Sequence, residues 1–132
     1  MTVEALDHVN IVTEDLDRAE IFYRELLGLE ARPAPSPLTH ATARWMYDIG
    51  GRAVLHLNSR DAPRLMDRDM SPGPTGALHH IAFRCVGRDV VMARLAAMGL
   101  DYGCNEVPSV GLRQVFVTDP DGVLLELNFF AA

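Results

Sequence analysis

Cysteine is scarce in this chain. Among 132 residues there are two, Cys85 and Cys104, and no C-x-x-C spacing joins them. That excludes a disulfide framework and a cysteine-built structural zinc site, and both thiols are expected to be reduced packing residues of a cytoplasmic protein. Positive charge is also short: 12 basic residues stand against 18 acidic ones, a net charge of -6. No basic patch is dense enough to hold a phosphate backbone, so nucleic acid is not an expected partner. No apolar run approaches the roughly 18 residues that would cross a membrane. The start, MTVEALDHV, has neither a basic n-region nor an apolar stretch, so no signal peptide is expected.

What is present is apolar and repetitive. Apolar residues make up 48% of the chain, enough for a real core and too many for a disordered segment. The length fits one domain, 1–132, or two small modules sharing a core. Internal similarity favours the two modules. LDHVNI at 6–11 matches LHHIAF at 78–83, so that His8 corresponds to His80. LLGLEA at 26–31 matches AMGLDY at 97–102, and LHLN at 55–58 matches LELN at 125–128. The order is kept, and the offset drifts only from 72 to 70. The modules run over 4–58 and 77–130. The join at 59–76, SRDAPRLMDRDMSPGPTG, is rich in proline, glycine and charge and reads as a linker.

Each module reads as strand, helix and three further strands. First strands are expected near 5–12 and 78–85. In DLDRAEIFYRELLGL, Leu16, Ala19, Phe22 or Tyr23, and Leu26 recur at helical spacing, Thr13 or Asp15 can cap the start, and Gly28 suits the stop. A second helix over 88–98 carries Val91, Leu95 and Met98 on one face, with Gly99 as its stop. The remaining strands are expected at 29–33, 43–49 and 53–58, then at 101–107, 112–118 and 123–129. IGGR at 49–52 and DPDG at 119–122 supply tight turns. The fold class is α+β: two βαβββ modules forming a cupped mixed sheet with helices on its outer face.

Alternation then sorts the side chains. Leu55 and Leu57, Ile81 and Phe83, and Leu125 and Leu127 mark apolar faces that belong under helices. His8, His56, His80 and Glu126 fall on the opposite, more polar faces at repeat-equivalent positions, beside Asn10, Asn58, Arg84 and Asn128. A lone strand histidine is ordinarily a hydrogen-bonded core or surface residue. His40, in a proline-rich loop, and His79, which points the other way, are read so. Four ionisable groups at equivalent positions differ, because burying them together without a cation costs several kcal/mol. Three imidazoles and a carboxylate suit one divalent ion (Zn, Fe, Ni, Co or Mn) and leave positions open for water or substrate, the mark of a catalytic site.

LDHVNIVTEDLDRAEIFYRELLGLEA, GALHHIAFRC and VFVTDPDGVLLELNF resemble the vicinal-oxygen-chelate superfamily over nearly the whole chain. That superfamily includes glyoxalase I, methylmalonyl-CoA epimerase, fosfomycin- and bleomycin-resistance proteins and extradiol dioxygenases. The resemblance implies two βαβββ modules around a divalent metal, with His8, His56, His80 and Glu126 as ligands. It also implies a homodimer, in which the modules of two chains are in some members swapped. His56 departs from the family pattern: glyoxalase I usually has glutamate there, the epimerase glutamine, and the extradiol dioxygenases usually no ligand.

The leading expectation is a metal-dependent lyase, isomerase or epimerase of the glyoxalase type. Its substrate would be a small molecule that chelates the metal through neighbouring oxygens and reacts through an enediolate. Glu126 is the expected base, since the resemblance implies a glutamate that can loosen from the metal, and His56 is second. Asn10, Asn58, Asn128 and Arg84 are candidates for orienting the substrate, with Trp45, Tyr47 and Arg113 as weaker ones. One alternative is a one-domain ring-cleaving dioxygenase using Fe²⁺ with His8, His80 and Glu126. Another is a drug-binding resistance protein without the metal.

Overall fold

The computed structural model describes residues 1–66 and 68–131; Asp67, inside the expected linker, and Ala132 lie outside the described residues. The elements are β1 (Val9–Thr13), α1 (Leu16–Leu27), β2 (Glu30–Arg32), β3 (Ala43–Tyr47) and β4 (Ala53–Ser59). Then come β5 (Ile81–Cys85), α2 (Arg88–Ala97), β6 (Gly103–Val107), a short 3-10 turn (Pro108–Val110), β7 (Leu112–Thr118) and β8 (Leu124–Phe130). The chain divides into two compact units, Met1–Ser71 and Pro72–Ala132. Each carries the βαβββ order, so the class is α+β.

The first unit holds a four-stranded sheet in the order β1-β4-β3-β2. β1 runs parallel to β4 and the other pairs are antiparallel: α1 carries the chain from β1 to the far edge at β2, and the reversals through β3 bring β4 back beside β1 in the same direction. α1 forms because its apolar residues recur on one stripe. Leu16, Ala19, Phe22, Tyr23 and Leu26 are all buried, so both aromatic candidates face inward. The Asp15 carboxylate accepts from the Arg18 N–H at 3.0 Å, and Gly28 ends the helix in the left-handed region at φ 67. The stripe packs on β3 and β4, where Met46, Leu55 and Leu57 are buried. Arg44, only 8% exposed, is held beneath α1 by Asp17 at 2.5 Å and by the His40 carbonyl at 3.2 Å.

The second unit repeats the plan as β5-β8-β7-β6, with β5 parallel to β8. Val91 and Leu95 of α2 are buried, as are Val115, Val117, Leu125, Leu127 and Phe129. The β7–β8 turn is tied at Asp119, whose carboxylate accepts from the Asp121 and Val123 N–H groups at 2.9 and 2.8 Å. Gly122 has φ 87, and a Cβ there would lie 2.5 Å from the Gly73 nitrogen, so this position needs glycine.

Several expected boundaries move. The first strands begin at Val9 and Ile81, not near 5 and 78, so His8 and His80 each stand one residue before a strand. Both strands lie at the edge of their own sheet, and residues 1–8 are exposed, so the ladder does not extend back over them. β3 stops at Tyr47, because Asp48 already belongs to the turn: its N–H donates to the Arg52 carbonyl and its carboxylate accepts from the Arg52 N–H. β4 runs on to Ser59, the first residue assigned to the linker. Met98 caps α2 instead of extending its buried stripe, and it is half-buried.

Both cysteines are free. Cys85 is half-buried, and burial pushes its thiol up to about 11. Cys104 is exposed, not a packing residue, because β6 is the edge strand of its sheet. Among the described residues no helix is long and apolar enough to cross a membrane.

Candidate metal centre

The first unit brings His8 and His56 together. Their rings stack with centroids 3.6 Å apart and planes 10° from parallel. On its other side the His56 ring meets Trp45, its register partner on β3, at 3.8 Å and 9°. His56 is therefore sandwiched and only 8% exposed. Burial, and then the neighbouring His8, lower its pKa to about 4. At neutral pH it is an uncharged imidazole, the form that ligates a metal.

His8 is held from behind. Its Nδ1 lies 2.6 Å from the Asp7 carboxylate, and His8 in turn keeps that carboxyl below its ordinary range. An Nδ1–H donated to Asp7 leaves Nε2 as the lone-pair donor, the carboxylate–histidine arrangement common behind metal ligands. Asn10 and Asn58 share this sheet face but bond to each other, Asn10 Nδ2 donating to Asn58 Oδ1 at 2.5 Å.

The second unit brings His80 and Glu126 together. His80 Nε2 faces Glu126 Oε1 at 3.7 Å, and its Nδ1 lies 2.9 Å from the Nδ1 of His79. The 3.7 Å gap is too long for a hydrogen bond. Two ligands about 2.1 Å from a common ion stand roughly 3.0–3.4 Å apart at right-angle to tetrahedral geometry, so the pair needs only a small closure to take one. Glu126 Oε2 is occupied differently: Asn128 Nδ2 donates to it at 2.9 Å. Behind Asn128 the amides continue across the sheet, with Gln114 Nε2 donating to Asn128 Oδ1 at 3.2 Å and Asn105 Nδ2 to Gln114 Oε1 at 2.8 Å. Every bond in this relay points its donor toward the carboxylate. On the neighbouring strands Glu126 is flanked by Ala82 and Phe116.

The donor types suit a divalent ion: imidazoles, a carboxylate, and outer partners that orient them. Each unit supplies one pair, and within neither unit do three His, Cys, Asp or Glu side chains stand together among the described residues. The cavity of about 600 Å³ in the first unit lies elsewhere, lined by Glu20, Arg24, Arg32 and Arg44. Each of those arginines faces a carboxylate, so the groove offers no free cation.

Residues 5–127 match the model of the Glyoxalase/Bleomycin resistance protein/Dioxygenase superfamily. The chain belongs to this superfamily. Glyoxylase I 4 of Arabidopsis thaliana is 30% identical over 125 residues, spanning 93% of this chain and 69% of that protein. Mitochondrial methylmalonyl-CoA epimerase of Bos taurus is 26% identical, over 93% of this chain and 73% of its own length. Among solved structures, lactoylglutathione lyase from Agrobacterium tumefaciens superposes with a TM-score of 0.67 at 23% identity, covering 98% of this chain and 96% of that one.

Within this superfamily chain, some expected site residues find other partners. Tyr47 lies under the Arg32 guanidinium at 4.3 Å, and Arg113 pairs with Glu106 at 3.3 Å. His40 is exposed in its loop. Asp7, Asn105, Gln114 and Phe130 join these residues only in the structure. Alternation in RQVFV could have found Gln114, which shares the polar face of β7 with Phe116, opposite Asn128 and Glu126.

Proposed function

We propose that the protein is a divalent-metal-dependent enzyme of the glyoxalase type, with His8, His56, His80 and Glu126 as ligands. Its substrate is a small molecule that chelates the ion through vicinal oxygens. The observation that carries this reading is the His80–Glu126 pair, whose facing donor atoms stand 3.7 Å apart with no proton shared between them. Superfamily membership and enzyme relatives support it. Superfamily membership also supports a homodimer, which light scattering would test.

Carbonyl polarisation and stabilisation of an enediolate are the chemistry that a bound divalent ion supplies. The chain's own residues handle the proton. Glu126 is the base: Asn128 fixes Oε2, and the carboxylate takes a proton from the carbon beside the carbonyl and returns it. His56, neutral and held between the His8 and Trp45 rings, is the second candidate for that proton transfer.

The same sandwich favours a second reading. Two imidazoles lying parallel 3.6 Å apart direct their in-plane lone pairs alongside each other and not at one ion, which favours His8, His80 and Glu126 as the two-histidine, one-carboxylate set of a ring-cleaving dioxygenase using Fe²⁺. Metal analysis of protein expressed without supplements, then activity on hemithioacetal, epimerase and catechol substrates, tests both readings. Hemithioacetal or epimerase turnover supports the first, and oxygen uptake with a catechol supports the second. Protein that holds no stoichiometric metal, and gains no thermal stability from divalent ions, would instead be a small-molecule-binding resistance protein.

A further inference from the structure

The chain contains no lysine; all 12 of its basic residues are arginines. Arg24, Arg32, Arg44, Arg60 and Arg113 each lie against a carboxylate. Arg84 does not. Among the described residues its guanidinium has no acidic partner, in a chain that carries an excess of acids. It is instead laid over the Phe130 ring, 4.2 Å from the centroid.

Its position gives that isolation a meaning. In the register of the second sheet Ala82 stands opposite Glu126 and Arg84 opposite Asn128. Alternation places Arg84 on the same face as Ala82 and His80, and Phe130 on the same face as Glu126 and Asn128. Arg84 and Phe130 are both exposed. Stacking on an aromatic ring restrains a long side chain without using any of its N–H groups, so the edge of the planar guanidinium remains available for two parallel hydrogen bonds to one oxyanion. Arg84 lies two strand positions, and Phe130 four, beyond the level of Glu126, which puts the cation about 7–13 Å along the face.

We infer that Arg84, braced by Phe130, anchors a distal carboxylate or phosphate of the substrate. The inference rests on the proposed metal reading and narrows it. The substrate is an elongated molecule with vicinal oxygens at one end, met by His80 and Glu126, and an oxyanion about 10 Å away at the other. Small neutral α-hydroxy carbonyls satisfy only half of the face.

The test uses the full-length, metal-loaded protein and calorimetric binding of a 2-hydroxy diacid series of increasing chain length. Each diacid is compared with its ω-methyl ester and its ω-phosphate counterpart. Wild-type protein should bind the best diacid or phosphate about tenfold or more tighter than the matched ester. Arg84→Met should abolish that preference while leaving ester affinity unchanged, and Phe130→Leu should weaken it. Whichever of diacid and phosphate binds more tightly identifies the oxyanion. No preference in the wild type, a preference that survives Arg84→Met, or no binding of any probe would overturn the inference. Repeating the series on metal-free protein and on Glu126→Gln separates the two readings. If only the metal reading fails, the Arg84-dependent preference persists unchanged without metal. If only the anchor fails, all probes bind in a metal-dependent way with equal affinity.

Discussion

Asn128 donates to Glu126 from two positions along the same strand, Nδ2 to Oε2 at 2.9 Å. This bond leaves the other carboxylate oxygen facing His80. Gln114 and Asn105 hold Asn128 in turn, so the carboxylate's orientation is set by three amides that are not themselves donors to any ion. Outer partners of this kind typically change metal affinity by 10–100-fold. Asn128→Leu should therefore weaken metal binding roughly tenfold or more, and Gln114→Leu less, because the direct bond survives it. Competition against a chromophoric chelator measures both. Unchanged affinity in Asn128→Leu would remove Asn128 from the site.

The environment of His56 makes the metal-free protein acid-sensitive. The folded state resists protonating this ring until pH falls to about 4, whereas the unfolded chain takes up the proton from about 6.5 downward. Between those values the unfolded state binds more protons, so stability falls as pH falls through that window, and His56 adds no slope above it. The melting temperature of metal-free protein should drop from pH 6.5 to pH 4, and the drop should be shallower in His56→Phe, which keeps an aromatic ring without the titration.

Trp45 is the single tryptophan of the chain, and it lies 3.8 Å from the His56 ring. Its emission is thus a local reporter of what happens to that imidazole. Adding Zn²⁺ to metal-free protein should change Trp45 fluorescence saturably, and His56→Phe should remove most of the change. Stoichiometric binding seen by calorimetry with silent fluorescence would mean that His56 is not a ligand, which favours the three-residue set.

Gly122→Ala offers a test of the fold alone. The backbone there is left-handed, and the new Cβ would fall against the Gly73 backbone. A cost of about 1–3 kcal/mol follows, visible as a lower urea midpoint with an unchanged slope.

The architecture was legible because its signals are local and written twice. Asp15 and Gly28 bound α1 as their chemistry requires, and the leucines of LHLN and LELN mark the buried face of β4 and β8. Alternation and the repeat put His8, His56, His80 and Glu126 on the polar faces, and the parallel pairing of β1 with β4 and of β5 with β8 is what sets His8 against His56 and His80 against Glu126. What escaped depends on registers that no single strand reveals. The amide relay needs Asn105 opposite Gln114 and Gln114 opposite Asn128, a pairing of three strands that sequence periodicity does not specify. The boundaries at His8 and His80 depend on where a neighbouring strand stops offering partners. Cys104 is exposed although its strand resembles the others, because nothing within GCNEV marks that strand as the edge of its sheet.

The bond between Asn10 and Asn58 has a counterpart that is missing. In the second copy of the repeat, Asn58 becomes Asn128, but Asn10 becomes Ala82. One copy uses its asparagines to clip two parallel strands to each other. The other has alanine in place of one arm, and its asparagine bonds the carboxylate two residues away on its own strand. The same asparagine in the same strand frame is therefore a brace where a second amide lies in reach, and a holder of the carboxylate where alanine takes that amide's place.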